Sequence, residues 1–524
     1  MANLGDLNFP FFSKGDGNNS YPPEYELWEK ESFRKLQKDF AAQFETVFPD
    51  KLAPKTVVII PSLSLDQEIL SKIDGIVHYE ERMLCLLLLL RMPRTNLIYI
   101  TSTTMDPVII DYYLHLLPGV SNYHARQRLT LLSCYDISPR PLTEKILERP
   151  RLMKRILDSI PPDHAAHITC FNVTPLERTL SVQLQLPVYG CDPDLYELGN
   201  KSNGRILFRE CGLNVPNGFE NCRDESDIVK GLYELKRMEP ALLRAVVKLN
   251  EGFSGEGNAV FSYGDKNPED ISETWIREQL PHNLITVAKE LKYEEYMENI
   301  EKMGGVVESF LMGKEKRSPS VQCRINPLGD CDVLSTHDQV LGGNFGQIFT
   351  GAYFPASPEY AVVTSEAALR VSKALQQRGV IGRLGIDFLS IKENDNWEHY
   401  ALEINLRKGG TTHPYLMLQF LTDGHYDAAS GNYYTANNQT RYYYATDNLK
   451  NKRYIGLTSH DLVDIAINYD LMYDGAKQQG VMFHLIGALS QYGKLGLVCI
   501  GDSPQQAELY YQRTVEVLDK EGRN

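Results

Sequence analysis

No apolar run in this 524-residue sequence is long enough to cross a bilayer. The longest, MLCLLLLL from Met83 to Leu90, falls well short of the roughly 20 residues a spanning helix needs, and Arg82 and Arg91 flank it. It predicts one turn of a buried helix. There is no excess of positive charge either: 68 acidic residues outweigh 54 basic ones, a formal net charge of -14. That argues against a protein that coats nucleic acid or an anionic membrane, since both need basic faces. The nine cysteines are odd in number and scattered, with no C-x-x-C pair. A reduced cytoplasmic protein is the simplest account. The N-terminus MANLGDLNFPFFSKGDGNN has no basic segment followed by an apolar core, so no signal peptide is expected. No internal repeat or low-complexity tract is visible.

The composition, 43% hydrophobic and 23% charged, is that of a globular protein, and the length predicts several domains. Residues 1–55 read as a loose leader and a helix, with Leu27, Phe33, Leu36, Phe40 and Phe44 on one broad apolar stripe. Residues 56–190 alternate buried-strand runs (TVVIIPS, NLIYITS, TLLSCYD, HITCFNV) with helical patterns, which implies a parallel α/β domain. Residues 191–420 switch to hairpins, Gly-rich turns and single helices, an α+β pattern in two lobes. Residues 421–524 open on YYTANNQTRYYYATDN, expected to be a loop or edge, and close on a segment reading helix, strand, helix. Ser503-Pro504 caps that last helix. His484, in VMFHLIGAL, is placed on an apolar helix face as a core histidine.

Two carboxylates stand out. The strands RLGIDFLSI (383–391) and ALEINLR (401–407) flank the polar turn KENDN and predict a β-hairpin. By parity Leu402, Ile404 and Leu406 share one face, and Glu403, Asn405 and Arg407 share the other. A turn centred on Asp395 sets Asp387 opposite Glu403. Like charges in that position destabilise a sheet, and a divalent cation between them reverses the sign. Asn405 adds a neutral oxygen, and three hard donors suit Mg²⁺. A solvated hairpin is the plainer alternative, and a one-residue slip would separate the acids.

Upstream, RAVVKLNEGFSGEGNAVFSY (244–263) reads as strand, Gly-rich loop, strand. It lacks the G-x-x-x-x-G-K-S/T of a P-loop, and it lacks G-x-G-x-x-G. Gly252, Gly255 and Gly257 could fold backbone N–H groups over phosphates, with Ser254 as a further donor. Lys248 on the entering strand and Lys201 could supply cations. An ordinary turn and a snorkelling lysine are the plainer readings. In GGVVESFLMGKEKRSPSVQ, Glu308 is embedded in an apolar strand and Glu315 lies just past it. A buried acid needs a partner, either a ligand or an ion pair.

These elements, in this order, resemble the ATP-grasp superfamily: Lys201, then Lys248 with GFSGEG, then VVESFLMGKE, then GIDF and EINLR. The match covers about residues 191–415. The segments ITCFNVTPLERTLSVQLQLPVYGCDPDLYELGNKS and STHDQVLGGNFGQIFTGAYFP, and the chain from 470 onward, resemble the branch that includes the pheganomycin-type peptide ligase. The resemblance implies an ATP-grasp fold, with residues 56–190 as the pre-ATP-grasp domain. It implies Lys201, Lys248 and the loop Gly252–Gly257 on ATP phosphates. Glu308 and the backbone of Ser309 and Leu311 would frame adenine, and Glu315 would bind ribose. Asp387, Glu403 and Asn405 would hold two Mg²⁺ ions, with Mn²⁺ as the alternative, and Arg407 would stabilise an acyl-phosphate. Some members carry a base two positions before the metal-binding Asp. Here that position is Gly385, which leaves Arg383 or Arg324 to bind the carboxylate.

The implied activity is an ATP-dependent carbon–nitrogen ligase joining a small carboxylate and an amine, an amino acid or peptide. The alternatives are a nucleotide-binding regulator without turnover and an ATP-grasp carboxylase. No nucleic-acid or membrane partner is expected, and a homodimer is the default assembly for enzymes of this size. His337, Asp338 and Gln339, and separately His413, are open between substrate positioning and structural hydrogen bonding.

Overall fold

The structure, a computed structural model, describes residues 23–65, 70–71, 73–252, 257–288, 291–342 and 346–522. The helix Pro23–Val47 buries Phe33 and Phe40 completely, whereas Leu27 is 58% exposed, so the expected stripe narrows toward the helix start. Strands β1 (Lys55–Ile60), β2 (Thr95–Thr101), β3 (Leu129–Ser133) and β4 (Ala165–Cys170) form a parallel sheet in the order β3-β2-β1-β4. Every residue of β1 is buried, as a parallel strand covered on both faces requires. MLCLLLLL lies in a 3₁₀ helix that runs from Ile76 to Arg91, longer than the single turn expected. Its Leu84, Leu87, Leu88 and Leu90 share one core with Val481, Phe483 and Leu497 near the C-terminus. That core ties the first sheet to the last strands of the chain.

A second sheet is antiparallel: β5 (Gly218–Cys222), β6 (Arg244–Leu249), β7 (Asn258–Ser262), β8 (Leu284–Thr286) and β9 (Gly305–Ser309), in the order β5-β9-β6-β7-β8. Helices Glu225–Met238, Glu273–Asn283 and Tyr293–Met303 pack on it.

The third sheet has nine strands. It contains β10 (Glu315–Arg317), β11 (Pro319–Ile325), β12 (Cys331–Gly342), β13 (Ile348–Phe354), β14 (Gly382–Glu393) and β15 (Asn396–Asn405). A small hairpin of β16 (His425–Asp427) and β17 (Asn432–Tyr434) follows. Then β18 (Tyr442–Lys450), β19 (Gly480–His484) and β20 (Lys494–Gly501) extend the same sheet. Two expectations change here. The Tyr-rich run is a loop or edge only in its first half, β17 and residues 435–441; its second half is β18, which lies between β13 and β20, with Tyr443 buried. GVMFH is strand β19 rather than helix, because a short buried apolar run has no periodicity to tell the two apart. The Ser503 hydroxyl accepts from the Gln506 N–H and caps the last helix as expected. Among the described residues no helix is long and apolar enough to cross a membrane.

Candidate active site

Asn394 and Asp395 both take left-handed φ, 49° and 65°, and form a two-residue turn. From it the register runs from Glu393 opposite Asn396 to Phe388 opposite Ala401. Continued unbroken, it would set Asp387 against Leu402. A β-bulge intervenes between Phe388 and Asp387, and Asp387 faces Glu403. The expected pair is present, but by a different route: the turn is centred between Asn394 and Asp395, and the bulge supplies the missing half-step. Leu402 is displaced as a result. It lines the cleft, while Ile404 and Leu406 stay in the core.

The Asp387 carboxylate accepts from Gln339 Nε2 at 2.8 Å and from Asn405 Nδ2 at 3.1 Å. Burial, and then the Glu403 charge, push the Asp387 carboxyl up to about 6. Burial alone would raise Glu403 too. Its ion pair with Lys201, aided by Arg407 and Lys248, instead holds it below the usual carboxylate range. Asn405 turns its amide nitrogen to Asp387, and a flip of that amide presents the oxygen. Asp387, Glu403 and Asn405 thus converge on one face, with cations beside them.

Lys201 opens the helix Lys201–Glu210, whose N-cap is Asn200, and Lys248 projects from β6. Both line the cleft. Lys248 pairs with Glu308, whose other oxygen accepts from Arg205 Nη1 at 2.7 Å. Arg205 Nε donates to Glu220 at 2.7 Å, and Arg205 is 1% exposed. Sequence reasoning missed Arg205. Its position four residues after Lys201, on the same helix face, was the available signal. Gly252 and Gly257 close the base of the hairpin, where a Cβ at either would sit 3.4 Å from the other's Cα. Ser254 and Gly255 lie outside the described residues.

Glu308, Ser309 and Leu311 line the cleft, and the Ser309 N–H bonds the Asn217 carbonyl at 2.8 Å. Glu315 is not brought there. Strand parity sends Lys316 into the cleft and Glu315 to the other face, where it pairs with Arg317. Arg383 shares the face of Asp387 but is not among the cleft residues. It is directly opposite Arg324, and its Nη1 has no hydrogen-bond partner among the described residues. Burial, then Arg324, lower the Arg383 pKa. Arg324 itself pairs with Asp332 at 2.6 Å. Arg407 lines the cleft. Of the polar trio on β12, His337 meets the Tyr443 hydroxyl at 2.7 Å in the core, and Asp338 accepts from Tyr360 and the Ser357 N–H. Only Gln339 reaches the site.

The cleft measures about 640 Å³. Sequence reasoning also missed what the flanking regions add to its wall: Tyr79, Arg82 and Phe171 from the first domain, and Asp447 and Asn448 from β18. No motif pattern announces these five.

Comparison with known proteins agrees with the fold. Residues 193–429 match the family described as IQCH-like, ATP-grasp, and residues 461–514 match the PGM1 C-terminal domain. An L-propargylglycine--L-glutamate ligase of Streptantibioticus cattleyicolor is 29% identical over 476 residues, 88% of this chain and 94% of that protein. IQ motif-containing protein H of Danio rerio is 23% identical over 426 residues, 73% of this chain, but the match spans only 40% of that protein. Among solved structures, the ADP complex of the purK N5-carboxyaminoimidazole ribonucleotide synthetase superposes with a TM-score of 0.51 at 12% identity, covering 90% of this chain and 98% of that one. A biotin carboxylase from Campylobacter jejuni gives 0.51 at 13% identity, covering 86% and 89%. At such identities the superpositions speak to fold alone. Residues 193–429 carry the ATP-grasp match, and they supply the opposed acids and most of the cleft wall.

Proposed function

We propose that this protein is an ATP-dependent ligase that joins a carboxylate to an amine through an acyl-phosphate, releasing ADP and phosphate. One observation carries the reading: Asp387 faces Glu403 in a cleft that also holds Lys201, Lys248 and Arg407. Two half-buried acids face to face repel each other, and burial first, then the Glu403 charge, raise the Asp387 pKa. A divalent cation removes that repulsion, and the oxygen donors of Asp387, Glu403 and Asn405 suit Mg²⁺, two ions in this reading, or Mn²⁺. When bound, the metal would offset charge on the triphosphate. Lys201 and Lys248 are each held by an acid, Glu403 and Glu308, and would exchange those partners for phosphate oxygens. The hairpin from Gly252 to Gly257 would cover the phosphates. Glu308 and the backbone of Ser309 and Leu311 would frame the base. Arg407 would stabilise charge on the activated carboxyl group and on the tetrahedral intermediate.

A carboxylate is a poor electrophile toward an amine, and phosphorylation gives it a leaving group. The Streptantibioticus cattleyicolor relative is named for two amino acids, which supports an amino-acid pair as the substrates here. The test is to incubate the purified chain with ATP, Mg²⁺ and pairs of amino acids that include L-glutamate. ADP release is expected only when donor and acceptor are both present, with a condensation product visible by mass spectrometry. Folded protein that forms no ADP with any pair overturns the reading. ADP release that follows bicarbonate rather than an amine assigns a carboxylase instead.

A further inference from the structure

Three elements distant in sequence bring a second set of ligand atoms together. His413 sits in the first turn of the helix Thr412–Thr422, Asp447 falls at a register shift in β18, and His484 ends β19. His413 Nε2 lies 2.9 Å from His484 Nε2. Asp447 Oδ1 lies 2.8 Å from His484 Nε2 and 3.2 Å from His413 Nε2. All three residues are buried. We propose that His413, Asp447 and His484 bind a divalent transition-metal ion of the zinc class, at a site separate from the Asp387–Glu403 hairpin.

The geometry admits the ion. The three separations, 2.8, 2.9 and 3.2 Å, let a cation sit about 2.0–2.1 Å from every ligand atom when it lies roughly 1.1 Å above their plane. Hydrogen bonds alone do not satisfy the cluster. A 2.9 Å contact between two Nε2 atoms needs one ring to donate and the other to accept. The accepting Nε2 then turns its lone pair toward Asp447 Oδ1 as well, acceptor against acceptor at 2.8 or 3.2 Å. Protonating both Nε2 atoms would push two N–H groups together. A cation accepts all three lone pairs at once.

The fold also reserves the space. Gly496 pairs with His484 across β19 and β20, and a Cβ at 496 would fall 2.2 Å from His484 Nε2. The register shift between Thr446 and Leu449 lets Asp447 leave the ladder, as bulges beside functional sites do. Arg82 forms an ion pair with the other carboxylate oxygen of Asp447, its Nε 3.3 Å away without a hydrogen bond, and leaves Oδ1 to the histidines. Two imidazoles and one carboxylate favour zinc-class ions over Mg²⁺, and a fourth position remains for water or a substrate group. Neither Nδ1 has the outer-shell acceptor usual for a bound imidazole, so affinity should fall below that of a fully supported site. The ion would clamp the helix after β15 to β18 and β19, beside the cleft that Asp447 also lines.

The test uses the full chain, stripped by chelator, desalted and titrated with Co²⁺ alone. The expected result is one ion per chain, with the intense visible bands of four-coordinate Co²⁺ that Zn²⁺ then displaces. His413→Ala, His484→Ala and Asp447→Asn should each weaken binding by at least about tenfold. Gly496→Ala, which displaces the His484 ring, should do the same, whereas Asp387→Asn should not. Zinc-edge X-ray absorption of the loaded wild type tests the site without any variant and should show two imidazoles per ion. Absence of one-per-chain binding overturns the proposal. So does binding indifferent to His413 and His484, binding lost with Asp387→Asn, or an absorption edge without imidazole.

Discussion

Asp387 and Glu403 face each other across a hairpin whose turn is half a residue out of step with that pairing, and a bulge at Leu402 restores it. The bulge does two things at once. It sets the acids opposite each other, and it moves an aliphatic side chain into the cleft wall between two lobes. If the pair holds the metal, Asp387→Asn and Glu403→Gln should each lower ADP release by about 10²–10³, with folding intact. The rise in melting temperature caused by Mg²⁺ and ATP should also disappear. Calorimetry beside an ADP assay checks both, and an unaltered thermal shift in both variants would remove these residues from metal binding.

Arg205 holds two carboxylates that the solvent barely reaches, Glu308 and Glu220. Arg205→Met leaves Glu308 with Lys248 and Glu220 with Arg209. Breaking such a cluster should cost about 3 kcal/mol in urea unfolding. Lys248 would also be held more tightly by Glu308, so KM for ATP should rise. Arg205→Lys should restore little of either, because an ammonium cannot reproduce the forked geometry.

Glu80 offers a pH test away from the site. Its carboxylate accepts from the Ser102 hydroxyl at 2.6 Å and the Ser102 N–H at 2.7 Å, and burial raises its pKa to about 7. An acid raised above its unfolded value favours the folded state when protonated. Its contribution is complete below about pH 4.5 and is lost as pH rises through about 7. Glu80→Gln can both donate to and accept from Ser102. It should be near neutral at pH 5 and stabilising by about 1–3 kcal/mol at pH 8. Equal unfolding curves for both proteins at pH 8 would contradict the assignment.

The turn itself is improvable. Asp395 adopts a left-handed φ of 65° in the second turn position, where glycine is preferred. Asp395→Gly should raise stability by about 0.5–1 kcal/mol with activity unchanged, as read from chemical denaturation and the ADP assay.

Much of this was legible in the sequence because the patterns were local. Four apolar runs became β1 to β4, and ordered motifs placed Lys201, Lys248, Glu308, Asp387, Glu403 and Arg407 near one another. What escaped was set by register or tertiary contact. Leu402 left its parity face because of the bulge, which no composition signal marks. Glu315 was expected to bind ribose, but parity in β10 sends Lys316 into the cleft and Glu315 to the other face. His484 was assigned to a helix because a short buried strand lacks its own period. His413 and Asp447 became its neighbours only through the packing of β18 and β19 against the helix that follows β15.

The central claim is that a substrate carboxylate attacks the γ-phosphate. The most direct measurement is a turnover with a donor acid labelled with ¹⁸O in its carboxyl group, followed by mass analysis of the released phosphate. The account predicts one ¹⁸O atom in each phosphate, dependent on both substrates and absent with Glu403→Gln. Unlabelled phosphate formed alongside ADP, or AMP and pyrophosphate in its place, would contradict it.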